Sequence, residues 1–329
     1  MKIMRFIGIV FALFSAGSPS DTSAQDSGKK YKVYMVSNSH LDTQWRWDVK
    51  ATIDDYLYNT AVQNLALLEK YPHYVFNFEG AVKYEWIKEY YPHLFERIRK
   101  FVADGRWNIS GASFEANDPN MPSSESFIRN ILLAQEFYKK EFGIKSKDMF
   151  LPDCFGFSQV MPTLGHHCGL IGFSTQKLSW RTEPLVGDSK TPFPIGLWEG
   201  VDGARIMVAL EPGRYSWNEF PEGDLSANEE LAESARKSPF GIAYRYYGNK
   251  LANGAGDHGG SALPRSIQLL EEGITNGKGP VQLVSATSSQ LYEDYMPYGN
   301  HPELPVFVGE MPLDVHAPVS YTHLRAHET

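Results

Sequence analysis

The sequence predicts an α/β fold in which parallel strands are joined by helices. Short apolar runs bounded by polar or turn-forming residues recur along the chain, and segments with apolar residues at helical spacing lie between them. This alternation is typical of a parallel sheet with crossover helices. Polar residues also follow several of the runs directly, and in such sheets functional residues collect at the carboxyl ends of the strands.

The strands are predicted from the short apolar runs. The first run alternates well enough for a strand and ends abruptly in a polar cluster. In chain order, the predicted strands cover residues 32–37, 74–78, 107–110, 148–152, 170–174, 204–210 and 281–284.

The helices are predicted from apolar residues at helical spacing. Pro92 stands at the start of one helix, where proline is tolerated, and Ser124 and Gly143 are predicted to cap the two ends of another. A long loop is predicted from about 211 to 262, and a weaker helical pattern at 227–237 falls within it. The predicted helices cover residues 54–70, 93–102, 124–142, 227–237 and 264–273.

The composition narrows the class of protein. The 329 residues are 42% hydrophobic, which is enough for one large or two ordinary domains. A formal net charge of −8 argues against a nucleic-acid partner. The two cysteines, Cys154 and Cys168, make no disulfide framework. They can pair with each other, but two free residues that pack as small apolar side chains are the favoured interpretation.

The first residues predict export. Lys2 and Arg5 precede the apolar stretch at 6–14, which is too short to span a bilayer, and small and polar residues follow it. Residues 1–24 are therefore predicted to be a signal peptide rather than a buried N-terminal helix. No later segment predicts a membrane span, so we expect an exported protein, either periplasmic or secreted.

A candidate metal site begins at the end of the first predicted strand. His40 and Asp42 are two residues apart, so their side chains point to the same side of an extended backbone. An imidazole and a carboxylate together suit a divalent cation, above all zinc. For this pair alone a polar turn is the simpler explanation, but Asp153 supplies a second carboxylate at the end of a later predicted strand. His40, Asp42 and Asp153 are therefore the candidate metal ligands.

Further polar residues follow other predicted strands. Glu79 follows the second strand, residues 111–125 follow the third, and Lys177 lies just past the fifth. Asp257 lies in the glycine-rich segment 254–260, where glycines on both sides permit a tight backbone and the close approach of a ligand. Taken alone, this segment favours a flexible linker, and it does not match a phosphate-binding loop.

Together these motifs resemble the glycoside hydrolase family 38 α-mannosidases. His40 and Asp42, with Trp45 nearby, are similar to the zinc-binding His-x-Asp of that family and to its sugar-stacking tryptophan. The segment 153–158 resembles the family motif Asp-x-Phe-Gly-x-Ser, in which the aspartate is both nucleophile and zinc ligand.

Three further segments extend the resemblance, in the order of the family, so that it runs from about residue 32 to residue 316. Gln176–Lys177 resembles the segment that bears a basic active-site residue. Residues 198–203 resemble a frequent Trp-x-Gly-x-Asp-Gly stretch. Residues 256–260 resemble the loop that carries the general acid/base in bacterial and cytosolic members.

The resemblance implies a seven-stranded (β/α) barrel with parallel strands as the catalytic domain, at residues 30–317. It implies a retaining, exo-acting and zinc-dependent α-mannosidase whose substrate is an oligosaccharide or glycan containing α-mannose. Asp153 would be the nucleophile and Asp257 the acid/base, while His40, Asp42 and Asp153 would hold Zn²⁺. The residues expected to bind substrate are Trp45, Lys177, Glu115 and Asp118.

The end of the chain carries two further expectations. The family takes its fourth zinc ligand, a histidine, from beyond the barrel, so the chain is expected to be the N-terminal catalytic part of a longer protein. Residues 318–329 resemble a translated sequencing adapter and are expected to be non-native. For this reason His323 and His327 are set aside as metal ligands despite their spacing.

Two other functions remain open from the sequence. A zinc-dependent polysaccharide deacetylase on a related barrel would also use Asp and His ligands, but it needs a second pair of histidines on one helix turn. His166 and His167 are adjacent and point apart on a helix, which counts against it. The other alternative is a non-catalytic carbohydrate-binding protein that has kept the fold.

Overall fold

A computed structural model describes most of the chain. The described residues are 30–179, 191–248, 257–296 and 303–312. The predicted signal peptide at 1–24 and the predicted non-native tail at 318–329 lie outside them, and both stay predictions. Of the glycine-rich segment 254–260, the structure describes the residues from Asp257 onward.

Strands recur along the described part of the chain, from a long first strand to a short last one. They are β1 Tyr31–Asn38, β2 Phe76–Glu79, β3 Trp107–Ser110, β4 Asp148–Phe150, β5 Gly172–Ser174, β6 Ile195–Glu199, β7 Arg205–Ala209, β8 Ile242–Gly248, β9 Val281–Ser285 and β10 Val306–Val308.

Helices alternate with most of these strands. They are α1 Val49–Ala51, α2 Tyr58–Lys70, α3 Ala81–Tyr90, α4 Pro92–Ala103, α5 Ser124–Phe142, α6 Val160–His167, α7 Glu229–Arg236, α8 Pro264–Asn276 and α9 Gln290–Tyr295. A π-helix, Thr52–Leu57, joins α1 to α2. Such segments are frequent near functional sites.

The strands form two five-stranded sheets. The first has the order β3-β2-β1-β8, with β9 also paired to β1, and the second has the order β10-β6-β7-β5-β4. All pairs are parallel except β6 with β7. The prediction of uniformly parallel strands is therefore wrong at β6 and β7. The turn between them is too short for a crossover, so the chain can only return antiparallel.

A closed seven-stranded barrel is not observed, because no strand pairing joins the two sheets within the described residues. Single backbone hydrogen bonds do connect their edges. The Ala112 amide, just past β3, donates to the Asp148 carbonyl in β4 over 2.9 Å, and the Tyr246 amide in β8 donates to the Pro212 carbonyl over 2.8 Å.

Most predicted elements are confirmed, with shifts at their ends. Each predicted strand is present, and α5 spans 124–142 as predicted, with Gly143 in left-handed conformation at its end and Ser123 rather than Ser124 as the N-cap. The predicted loop from 211 to 262 is wrong, since it contains β8 as well as α7. Arg245 interrupts the apolar run of β8, but its guanidinium pairs with Glu230 and lies over the Trp217 ring.

The first strand is buried on both faces, which fixes the backbone that leads into the candidate site. Val33 and Met35 pack into one hydrophobic cluster, whereas Tyr34 and Val36 pack into another. Successive side chains of β1 therefore point to opposite faces, and both faces are covered, as in a central strand of a sheet. Among the described residues, no helix combines the length and the apolar character needed to cross a membrane.

Candidate active site

A cavity of about 470 Å³ lies where strands of both sheets end. Its walls come from the segments that follow β1, β3, β4, β5, β7 and β8, as the rule for parallel sheets predicts. It is lined by every predicted site residue except Glu115, namely His40, Asp42, Trp45, Asp118, Asp153, Lys177 and Asp257.

His40 lies at the centre of a cluster of carboxylates. Its Nε2 is 3.2 Å from Asp42 Oδ1 and 3.8 Å from Asp153 Oδ2, and its Nδ1 is 2.7 Å from Glu79 Oε1. Burial disfavours the imidazolium, but these three carboxylates outweigh burial and raise the pKa of His40 well above its ordinary value. For Asp42 burial also opposes ionisation, yet the contact with His40 prevails and lowers the pKa.

Asp153 follows β4 and forms an ion pair with Lys177, which follows β5. The Lys177 ammonium lies 4.7 Å from the centre of the Phe155 ring. Burial raises the pKa of Asp153, while His40 and Lys177 act in the opposite direction by favouring the carboxylate. The parallel pairing of β4 with β5 therefore brings the ends of two adjacent strands together, so that a carboxylate lies beside its counter-ion.

The segment that carries Asp257 is held against the His40 segment by backbone hydrogen bonds. The Asp42 amide donates to the Asp257 carbonyl, and the Gly259 amide donates to the His40 carbonyl, each over 3.0 Å. Leu41 and His258 form an antiparallel bridge between these bonds. A short two-stranded ladder thus fixes Asp257 beside His40 and Asp42.

Further contacts anchor the same segment to α2. The Gly260 amide donates to Thr60 Oγ1, and the Gly260 carbonyl accepts from Asn64 Nδ2, each over 2.8 Å. These polar side chains are buried on the helix face that meets the site. The helical pattern at 54–70 predicts the helix, but it does not reveal that polar residues on this face hold the Asp257 segment.

Tyr215 follows β7 and is not among the residues predicted from the sequence. Its hydroxyl donates a hydrogen bond to Asp257 Oδ1, and its ring lies 5.3 Å from the His40 ring, centre to centre. Burial raises the pKa of Tyr215, and the nearby carboxylates of Asp153 and Asp257 raise it further. The hydroxyl therefore stays protonated and able to donate.

Trp45 stands at the rim of the cavity and is 55% exposed. The Arg46 guanidinium lies 4.2 Å from the centre of its ring. Trp47 meets Trp45 edge to face with ring centres 6.2 Å apart, packs on His258 with ring centres 4.1 Å apart and donates from Nε1 to Thr52 in the π-helix. An exposed aromatic face over a polar pocket is suited to contact with the apolar face of a sugar.

The two other residues expected to bind substrate lie differently. Asp118 lines the cavity, whereas Glu115 does not. Burial raises the pKa of Glu115, and the Lys83 ammonium opposes that rise. Glu115 is thus close enough to Lys83 to be influenced by its charge, and it is absent from the cavity lining.

The donor atoms fit a divalent cation. Ligand atoms of His40, Asp42 and Asp257 all lie within 4.8 Å of one another. His40 Nε2 is buried and has no hydrogen-bond partner among the described residues, although it faces carboxylate oxygens. Nitrogen and carboxylate oxygen are ligands that zinc accepts. Asp153 is also near enough to His40 to share an ion with it, but it is engaged by Lys177.

The segment 198–203 has a structural position outside the cavity. Trp198 is buried and donates from Nε1 to the Gly309 carbonyl over 2.8 Å. Asp202 accepts from Thr163 Oγ1 over 2.6 Å and lies 2.7 Å from His167 Nε2, which ties the β6–β7 turn to α6. The cysteines are both free, with Cys154 buried and Cys168 half-buried.

Comparison with known proteins assigns the chain to a family. The sequence profile described as "Glycosyl hydrolases family 38 N-terminal domain" matches residues 30–310. The chain belongs to glycoside hydrolase family 38. The resemblance inferred from the motifs is thereby confirmed.

Relatives of this family 38 chain include named α-mannosidases. Alpha-mannosidase G of Dictyostelium discoideum is 31% identical over 294 residues, which cover 89% of this chain and 26% of the relative. Alpha-mannosidase 2C1 of Homo sapiens is 30% identical over 296 residues, which cover 89% of this chain and 27% of the relative. The family 38 chain therefore spans about a quarter of the length of these relatives.

A solved structure supports the fold of the family 38 chain. An alpha-mannosidase from Enterococcus faecalis V583 superposes with a TM-score of 0.68 at 23% sequence identity, over 86% of this chain and 31% of that one. At this level of identity the similarity establishes the fold alone.

Proposed function

We propose that this protein is a retaining, exo-acting and zinc-dependent α-mannosidase. The observation that carries the proposal is the convergence of His40, Asp42, Asp153 and Asp257 in one cavity of a family 38 chain. A cavity of about 470 Å³ has the size of small-ligand sites, which favours recognition of the end of a glycan.

His40, Asp42 and Asp153 would hold the zinc ion. When bound, the ion would orient sugar hydroxyls and withdraw electron density from them as a Lewis acid. The unpartnered Nε2 of His40 and the adjacent Asp42 oxygen support the first two ligands, and Asp153 Oδ2 lies 3.8 Å from the same nitrogen. Asp257, whose ligand atom also lies near those of His40 and Asp42, is proposed below as the acid/base instead. The protein contributes a rigid strand end, since β1 is buried on both faces.

Asp153 would attack the anomeric carbon of mannose. Lys177 supports this role because an ammonium paired with the carboxylate favours the ionised, nucleophilic form. The attack forms a covalent bond between a carboxylate oxygen and the sugar and breaks the glycosidic bond, so a second carboxyl group must protonate the leaving oxygen.

Asp257 would be that acid, and afterwards the base that activates water. Tyr215 donates to one of its oxygens, which leaves the other oxygen for the proton that is transferred. The ladder to the His40 segment fixes the position of Asp257 relative to the other groups. Attack by one carboxylate followed by attack of water inverts the anomeric carbon twice, so the configuration is retained.

Trp45, Lys177 and Asp118 would contact the substrate. Trp45 offers an exposed ring at the rim, while Asp118 and Lys177 offer polar groups inside. Because Glu115 lies outside the cavity lining, it is not proposed to contact the sugar.

The test is hydrolysis of an aryl α-mannoside by the purified protein, with the anomer of the first product read by NMR. Asp153→Asn should abolish turnover, whereas Asp104→Asn on the exposed end of α4 should not. A chelator should stop the wild-type reaction and added zinc should restore it. Full activity of Asp153→Asn, or an inverted product, would refute the proposal.

The geometry disfavours the deacetylase alternative. His166 and His167 lie on α6, away from the cavity lining, and His167 contacts Asp202. Within the described ranges, His40 is the histidine that the cavity presents. A carbohydrate-binding protein without activity remains distinguishable by the same assay, since it would bind mannosides and release no product.

Two further proposals concern the whole chain. We propose that the two sheets together form a single barrel that closes at their edges. Single hydrogen bonds that connect the segment after β3 to β4, and β8 to the segment after β7, support this proposal. We also propose that residues 1–24 direct export, on the basis of their charge and hydropathy pattern. Cell fractionation with and without residues 1–24 tests export, because deletion should leave the protein in the cytoplasm.

A further inference from the structure

Two buried charged residues next to His40 have no part in the proposed mechanism. Glu79, the last residue of β2, is 3% exposed, and Lys83, in the first turn of α3, is 0% exposed. Neither lines the cavity. Glu79 Oε1 lies 2.7 Å from His40 Nδ1 and 3.7 Å from Lys83 Nζ, so the three side chains form a line that ends at the site.

This pair is poorly suited to stabilising the fold. Glu79 Oε2 and Lys83 Nζ are both buried and make no hydrogen bond within the part of the chain that the structure describes. Desolvating two charges can cost more than a buried ion pair returns, and well-packed apolar residues of similar volume are often as stable or more stable. Stability alone therefore does not explain why Glu79 and Lys83 are buried together, whereas a role in the neighbouring site does.

The local sequence keeps Glu79 and Lys83 close together. Gly80, the N-cap of α3, has φ +87°, a conformation that favours glycine, and it lies in van der Waals range of the Lys83 side chain. The ammonium also lies 5.6 Å from the centre of the Phe78 ring. Glu, Gly and Lys at 79, 80 and 83 therefore form a compact unit at the junction of strand and helix.

We infer that Glu79 is a positioning residue for His40 and that Lys83 offsets the charge of Glu79. The inference rests on the proposed function, in which His40 binds a divalent cation. If Nδ1 donates its hydrogen to Glu79, the lone pair of Nε2 faces Asp42 and Asp153, and this is the tautomer that a cation requires. Lys83 keeps the carboxylate from remaining as an uncompensated buried charge.

The first test measures metal affinity, with zinc and cobalt(II) alone as probes and a chromophoric chelator as competitor. Glu79→Gln keeps a hydrogen-bond acceptor but loses the charge, and Glu79→Met loses both. We expect Glu79→Gln to weaken zinc binding about 10-fold and Glu79→Met about 100-fold, the range found for partners of metal-bound histidines. The absorption bands of bound cobalt should change in the same variants, because the orientation of the ring changes.

Lys83 is tested by its coupling to Glu79. Lys83→Met should lower the melting temperature of the metal-free protein, because the buried carboxylate of Glu79 keeps its contact with His40 but loses the ammonium that also offsets its charge. The double variant Glu79→Gln with Lys83→Met should recover most of that loss. Lys88→Met and Glu141→Gln provide controls, since they break another Lys–Glu pair, at 2.7 Å between α3 and α5, and should not change zinc affinity.

Other results would overturn the inference. Unchanged zinc affinity in both Glu79 variants would do so, as would an equal loss in the Lys88 and Glu141 controls. A wild-type protein that binds neither zinc nor cobalt would also overturn it. If the predicted losses of affinity are found but no α-mannoside is hydrolysed, the positioning role stands and the proposed function fails.

Discussion

Asp257 adopts a backbone conformation that is rare for a residue with a side chain. Its φ is +67°, in the left-handed region that Asp and Asn tolerate better than most residues. Such strain persists where the surroundings impose it, and here the ladder to the His40 segment does so. The conformational energy spent at Asp257 is consistent with a requirement that its carboxylate have one fixed direction.

The first prediction concerns the role of Asp257 as acid. Asp257→Asn tolerates the same φ but cannot donate a carboxyl proton. We expect it to slow the hydrolysis of mannosides with poor leaving groups about 10²-fold or more, because their leaving oxygen must be protonated as the bond breaks. Activated aryl mannosides do not need this proton, so their glycosylation step should be slowed far less. Rates for a series of leaving groups provide the measurement, and equal losses across the series would show that Asp257 is not the acid.

Single residues also show where prediction from sequence succeeds and where it stops. His40, Asp42 and Asp153 follow predicted strands, so strand ends and residue chemistry suffice to propose one site. Tyr215 lies in a segment without a motif, and its contact with Asp257 depends on how β7 and β8 are arranged in space. Glu79 was visible as a polar residue at a strand end, but its link to His40 required coordinates.

Among the secondary-structure elements, the junction of β1, α2 and the Asp257 segment organises the site. The His40 and Asp257 segments pair through their backbones, and α2 supplies Thr60 and Asn64 to hold Gly260. Apolar spacing predicts α2 because it reports which face is buried. It cannot predict that buried polar groups on that face bind a distant loop, since this contact arises only in the assembled structure.

The second prediction tests this junction through Gly259. It has φ +72°, and a Cβ there would lie 2.3 Å from Thr60 Oγ1. Gly203, in the β6–β7 turn, has φ +83° with nothing within 4 Å of an added Cβ, so Gly203→Ala is a matched control for backbone strain alone. We expect both alanine variants to lose about 1 kcal/mol of unfolding free energy from strain, with a further loss and a fall in turnover only for Gly259→Ala.

The free energy of unfolding of both alanine variants is measured by chemical denaturation, and their activity by turnover of an aryl α-mannoside. Equal losses of stability and activity in the two variants would mean that Thr60 moves aside and that the junction does not hold Asp257 in place.

At the scale of the whole molecule, the relation between the two sheets is the feature that sequence patterns do not determine. Apolar runs identify strands but not their partners. The run at 204–210 is predicted as a strand of a parallel sheet, yet β7 turns back and pairs antiparallel with β6, which is not among the predicted strands. Asp148 lies where the sheets approach each other. Its carbonyl accepts from the Ala112 amide, and its Oδ1 accepts from the Gly111 amide and from Ser146 Oγ, each over 3.2 Å.

Asp148 predicts a pH dependence of the stability of the whole fold. Burial raises its pKa to about 6, against a value near 4 for an exposed aspartate, although hydrogen bonds from Ser288, Gly111 and Ser146 oppose the rise. Between pH 4 and pH 6 the folded protein therefore holds a proton that the unfolded chain releases. The contribution of this residue to the free energy of unfolding falls as the pH rises through that window, by about 3 kcal/mol in all, and is constant above about pH 7. The measurement is the unfolding free energy of wild type and Asp148→Asn from pH 3 to pH 7.5. The wild-type value minus the variant value should fall by about 3 kcal/mol.

Asp224→Asn is a control of opposite sign, because hydrogen bonds from Ser226, Lys278 and Gly279 outweigh burial and lower the pKa of Asp224. For it the same difference should instead shrink as the pH falls toward the pKa. A difference for Asp148 that does not vary with pH would mean that its carboxyl group is ionised in the folded protein at all these pH values, and that the junction of the two sheets tolerates a buried charge.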